Sequence, residues 1–82
     1  MEHSSGISIY PNPSQNQLTL SNRSFVFSGL VSIYNALGQV VYSERRNGSQ
    51  FSFYTGHLNA GMYIIQVKTD EGEIITGRFI KK

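Results

Sequence analysis

The sequence has no cysteine, no tryptophan and only two prolines, and no apolar run in it approaches the roughly 20 residues of a membrane-spanning helix. Without cysteine there is neither a disulfide framework nor a thiolate metal site, so apolar packing and strand ladders must supply the stability. The same absence assigns no compartment, because an exported domain that needs no cross-link has this composition too. Charge is sparse: seven Lys and Arg against five Asp and Glu leave a net charge of +2 and a pI of 9.2. The adjacent basic pairs are Arg45-Arg46 and Lys81-Lys82, too few for the set of simultaneous phosphate contacts that nucleic-acid binding requires, so no nucleic-acid partner is expected. At 82 residues the chain can build one modest core, burying roughly 60% of its unfolded surface. The opening Met1-Glu2-His3-Ser4-Ser5-Gly6 lacks the apolar centre of a signal peptide. Residues 1–6 are therefore expected to be a leader or linker, with any export signal upstream on a longer polypeptide.

What is present is short alternation. Apolar residues recur with a period of two in segments bounded by Gly, Asn, Asp, Pro and Ser, the signature of strands. Ile7-Ser8-Ile9-Tyr10 is stopped by Pro11 and Pro13, which have no amide proton for a ladder. Gln17-Leu18-Thr19-Leu20 and Phe25-Val26-Phe27 are expected as the second and third strands. Leu30 to Tyr34 and Gln39 to Ser43 flank Asn35-Ala36-Leu37-Gly38, where Asn opens a type I turn and Gly takes the positive φ after it. Asn47-Gly48 predicts a type I′ hairpin leading into Gln50-Phe51-Ser52-Phe53. Met62 to Thr69 directs Tyr63, Ile65 and Val67 to one face, and Ile74 to Ile80 returns after the polar loop Asp70-Glu71-Gly72-Glu73. Seven or so strands with no helical segment imply an antiparallel sandwich or barrel, the sandwich being preferred.

The residue inventory is poor in chemistry. A nucleophile needs a base held by a third group; the two histidines are His3, in the leader, and His57, in a loop, and no Gly-x-Ser-x-Gly elbow occurs. Asp70-Glu71-Gly72-Glu73 lacks the ligand spacing of a calcium loop and suits a solvated hairpin tip. No glycine-rich loop leads into a helix to cradle phosphate. No catalytic, cofactor or metal residue is expected. The ten Tyr and Phe must divide between a core and any surface platform for peptide or carbohydrate.

Four pieces occur in a fixed order: Ile9-Tyr10-Pro11-Asn12-Pro13; Asn35-Ala36-Leu37-Gly38-Gln39-Val40-Val41; Leu58-Asn59-Ala60-Gly61-Met62-Tyr63; and Gly77-Arg78-Phe79-Ile80-Lys81-Lys82. Together they resemble the type A carboxy-terminal sorting domain of the type IX (Por) secretion system of Bacteroidetes, over residues 7 to 82. Asn35 departs from the Asp usual at that turn, keeping the acceptor and dropping the charge. The resemblance implies an all-β domain, an antiparallel immunoglobulin-like β-sandwich of about seven strands, that is an address and not an enzyme. It implies the secretion machinery and its sortase as partners, cargo domains on the amino-terminal side, and a route through the periplasm to secretion or the cell surface. Cleavage would fall upstream of Ile7. Phe79, Ile80, Lys81 and Lys82 are the expected recognition residues, with the two lysines leading. Tyr10, Pro11, Asn12, Pro13, Asn35, Gly38, Leu58, Gly61 and Tyr63 are expected to serve the fold.

The rival reading is an immunoglobulin-like adhesion or carbohydrate-binding module, since a sandwich defines no function. A monomer or a weak edge-strand dimer is expected. Tyr63→Ala or Phe79→Ala should lower the denaturation midpoint well beyond the surface change Lys68→Ala, and equal midpoints would reject the core assignment.

Overall fold

The alternation resolves into seven strands: β1 (Ile7–Tyr10), β2 (Gln17–Asn22), β3 (Phe27–Tyr34), β4 (Val40–Gly48), β5 (Gln50–Tyr54), β6 (Gly61–Thr69) and β7 (Ile74–Lys81). They are seen in a computed structural model whose described residues are 7–11, 16–22 and 26–82. Neighbours pair antiparallel in two sheets, one of three strands in the order β1-β2-β5 and one of four in the order β4-β3-β6-β7. Each sheet buries its inward residues against the other. Leu18, Leu20, Phe51 and Phe53 meet Val31, Ile33, Tyr63, Ile65, Val67 and Phe79 in a single cluster. Burying each such side chain contributes about 1.5–3 kcal/mol, and in a chain without cross-links this cluster is the main stabilising term. The expected inward face of β6 is borne out, as is the hairpin joining β6 to β7, where the amides of Gly72 and Glu73 donate to the Thr69 carbonyl and to Thr69 Oγ1.

Two expectations are corrected. Phe27 and Leu30 belong to one continuous strand, so Phe25-Val26-Phe27 is not a separate element; Val26 is exposed outside it and Phe25 lies outside the described residues. Gly29 does not break β3 because it sits where β6 presses closest. A Cβ at Gly29 would collide with the Lys68 carbonyl oxygen and stand 2.8 Å from Thr69 Cα. The pair Asn47-Gly48 forms no hairpin either. A type I′ turn needs positive φ at both central residues, whereas among the described residues only glycines have it, Gly48 at 125°. Asn47 stays in the ladder opposite Ser28, whose hydroxyl donates to Asn47 Oδ1 at 2.7 Å. The chain then turns at Gly48 and Ser49 from the four-stranded sheet into the three-stranded one.

That corner closes one flank of the sandwich. The strand alternation turns Tyr42, Glu44 and Arg46 of β4 towards the other sheet, and the Arg46 guanidinium lies 5.1 Å from the Phe53 ring centre and 5.9 Å from that of Phe51. It donates to Tyr42 Oη at 3.1 Å, while Tyr42 donates to Glu44 Oε1 at 2.7 Å. An inward-pointing charge on an edge strand blocks pairing with another chain, and here it also covers two aromatic rings. Burial, and after it the bond to Glu44, hold the Tyr42 phenol above its ordinary pKa; Arg46 opposes them.

Two tests follow from this packing. Gly29→Ala should destabilise by about 1–3 kcal/mol, as overpacking against a backbone does; an unchanged urea midpoint would show that β3 and β6 do not meet there. Because folding raises the Tyr42 pKa, the neutral phenol favours the folded state, and that contribution is whole below the ordinary phenol range and is lost as pH rises through the raised value. Carbon-13 NMR of labelled tyrosine should place the Tyr42 transition above the ordinary phenol range, and Glu44→Ala should bring it down.

Candidate recognition surface at the distal pole

Alternating strand direction gives the sandwich two poles. Ile7 opens β1 at one, together with the Ser49 corner and the Asp70–Glu73 hairpin; this is the proximal pole, where the preceding polypeptide joins. At the distal pole lie the end of β1 at Tyr10 and Pro11, the Asn35–Gly38 turn, the connection from Thr55 to Gly61, and the end of β7. The described parts of the four sequence pieces that carry the family resemblance therefore lie at one end, although most of the chain's length separates Tyr10 from Lys82. Asn12 and Pro13 lie outside the described residues.

Of the residues expected to serve the fold, Asn35, Gly38, Leu58, Gly61 and Tyr63 shape the turns and core contacts of this end. Asn35 Oδ1 accepts from the amides of Leu37 (2.9 Å) and Gln39 (3.0 Å), its own amide donates to the Gln39 carbonyl, and Gly38, at φ 85°, donates to the Asn35 carbonyl. A bulge follows: Ile33 faces Tyr42 but Tyr34 faces Val40, so Val41 and Tyr42 both pack on the core. Half-buried Leu58 packs on the core, and Gly61 takes φ 151° as β6 begins. Tyr63 then reaches back, its hydroxyl donating to the Asn59 carbonyl at 2.6 Å. This is the tyrosine corner of immunoglobulin-like sandwiches, and it accounts for the spacing Leu58-x-x-Gly61-x-Tyr63. The Tyr63 ring stacks on Phe79 at 5.4 Å, joining the corner to the last strand. Tyr10 is about half exposed, and the bond from Tyr10 to Pro11 is cis.

The tail residues do not all face one way, because β7 alternates. Phe79 (1% exposed) and Lys81 (8%) face inward, and Ile80 (50%) faces out. Lys81 buries its stem and its ammonium donates to the Lys82 main-chain oxygen at 3.0 Å, whereas Lys82 is exposed. The residues that sequence reasoning passed over are Leu37, Met62 and Ile64, which are 83%, 48% and 40% exposed. A signal for two of them was present: Met62-Tyr63-Ile64-Ile65 is a continuous apolar run, the mark of a strand covered on both faces.

Three carboxylates gather at the proximal pole. Asp70, Glu71 and Glu73 occupy the proximal hairpin, where Arg45 holds Asp70 through two 2.8 Å bonds. Arg78, Lys81 and Lys82 are distal. Among the described residues no three His, Cys, Asp or Glu side chains are grouped to hold a metal, and His57 stacks on Tyr54 at 5.6 Å.

Residues 8–82 match the family of secretion system C-terminal sorting domains. The chain belongs to that family. Its members carry the sorting role of type IX secretion, attached to a cargo protein that is secreted or displayed at the surface. Over 75 residues, 90% of its length, this sorting domain is 29% identical to the ulvan lyase NLR42 of Nonlabens ulvanivorans, of which the match spans only 14%. The fold is similar to that of a Bacteroides vulgatus protein with an immunoglobulin-like β-sandwich, at TM-score 0.77 and 22% identity over 94% of this chain and 85% of that one. It is also similar to CopC from Methylosinus trichosporium, at TM-score 0.54 and 15% identity over 92% and 90%. At these identities the two structures bear on fold alone.

Removing one hydroxyl separates the corner from the core: Tyr63→Phe should cost about 1 kcal/mol, the net worth of one hydrogen bond, far less than Tyr63→Ala. At the neighbouring turn, Asn35→Asp should retain the midpoint and Asn35→Ala should lower it; the reverse order would dismiss the side-chain acceptor as the reason for Asn.

Proposed function

We propose that this domain is the address of a larger exported protein. It folds in the periplasm, is read there as a folded unit by the type IX machinery, and carries cargo joined upstream of Ile7 across the outer membrane before a sortase removes it. The family match, which takes in all the described strands but the first residue of β1, carries this reading. The separation of the two poles supports it, since cargo leaving from the proximal pole keeps the distal one open to a receptor. Phe79, Ile80, Lys81 and Lys82 are proposed to act in two ways. Phe79 and Lys81 anchor the last strand within the sandwich, and Ile80 and Lys82 present themselves outside it. The domain itself supplies no reaction step; a lyase or other activity belongs to whatever cargo precedes it.

The test places residues 1–82 behind a signal peptide and a fluorescent protein in a type IX host. The reporter is expected at the surface or in the medium, shortened by the mass of the domain. Deleting Phe79–Lys82 should leave it in the periplasm, and full-mass reporter retained in the periplasm with the intact domain would refute the address. Because the deletion also removes a core ring, the purified truncated domain should be compared by thermal denaturation.

A further inference from the structure

The outward face of the four-stranded sheet is divided into bands. A polar row, Ser43, Ser32, Gln66 and Thr76, runs across its middle through paired positions of β4, β3, β6 and β7. On its proximal side Leu30 and Ile74 are interleaved with Arg45 and Lys68. On its distal side the row Val40, Tyr34, Ile64 and Arg78 is followed by the pair Met62 and Ile80. Leu37 stands beside them at the tip of the turn. None of these apolar side chains is required by the turns or the core, and a single exposed one would call for no explanation; six adjoining on one face do. The cations beside them are Arg78 and Lys82, and the described Asp and Glu side chains lie elsewhere, at the proximal hairpin and on the inward side of β4.

We infer that this distal face of β6 and β7, with the Asn35–Gly38 turn, is the docking surface for a protein partner whose own surface is apolar and bordered by Asp or Glu carboxylates. The inference rests on the sorting reading and names where the receptor touches. A guanidinium at the rim of an apolar patch suits bidentate carboxylate recognition and sets orientation and on-rate. A second copy fits poorly, because the described outward face carries no Asp or Glu of its own to meet Arg78 and Lys82 across a two-fold contact. An anionic lipid surface fits poorly as well, since two rim cations bring only about 1 kcal/mol each.

The test uses the reporter fusion in the type IX host with Ile64→Asp and Arg78→Glu, against Ile74→Asp and Lys68→Glu on the proximal part of the same face. Surface delivery should fall about tenfold or more for the distal pair, as for loss of a central interface contact, and stay at the parent level for the proximal pair. Thermal midpoints of the purified domains should match the parent; if Ile64→Asp melts early, Arg78→Glu decides alone. Equal delivery by all variants would overturn the docking face and leave the sorting role standing. Retention of the parent fusion would overturn both. Flotation with phosphatidylglycerol vesicles and sedimentation at rising concentration should show neither binding nor dimer. Vesicle binding lost in Arg78→Glu, or a dimer lost in Ile64→Asp, would replace the protein partner and refute the inference.

Discussion

The stacking of Tyr63 on Phe79 ties together what the rest of the structure depends on. Tyr63 lies near the start of β6 and bonds back to Asn59, so it sets the connection from the three-stranded sheet; Phe79 lies near the end of β7, so it holds the edge strand in place. With no disulfide, the end of the chain is held by this stack together with the β6–β7 ladder, which runs as far as the pair Gly61 and Lys81. The display of Ile80 at the surface thus derives from a ring buried one residue before it, and that of Lys82 from the inward turn of Lys81. A strand that alternates must bury its neighbour in order to display a residue.

The same alternation explains how a domain of this size serves as a label. Its inward positions are committed to a core shared by both sheets, and its outward positions are free to vary without cost to folding. Polar residues fill most of them, but at the distal pole Leu37, Val40, Met62, Ile64 and Ile80 do not follow that rule. At the opposite flank, Arg46 shows another use of an edge strand: a charge turned inward over Phe51 and Phe53 closes the sandwich where β4 passes into β5. Membership in the sorting-domain family joins these features to a role in export.

Most strands were legible because their period of two is a local property. Ile65, Val67 and Phe79 were placed in the core by alternation alone, and the Asn35–Gly38 turn by the side-chain acceptor of one residue and the positive φ of another. The misread segments depend on distant neighbours. Phe25-Val26-Phe27 and Leu30 to Tyr34 look like separate strands until β3 is seen to run through Gly29 beside β6, and Asn47-Gly48 looks like a hairpin until Asn47 is found paired with Ser28. Lys81 and Lys82 look like one charged pair until the last strand separates them.

By itself the sequence determined an all-strand domain, its core residues and, through four ordered motifs, its family, because alternation, turns and motif order are written along the chain. Only the tertiary structure decided that those motifs gather at one pole, that Lys81 turns inward, and that six apolar side chains from β3, β4, β6, β7 and one turn form a single face. Adjacency between strands is set by which sheet each one joins, and no local pattern of residues records that choice.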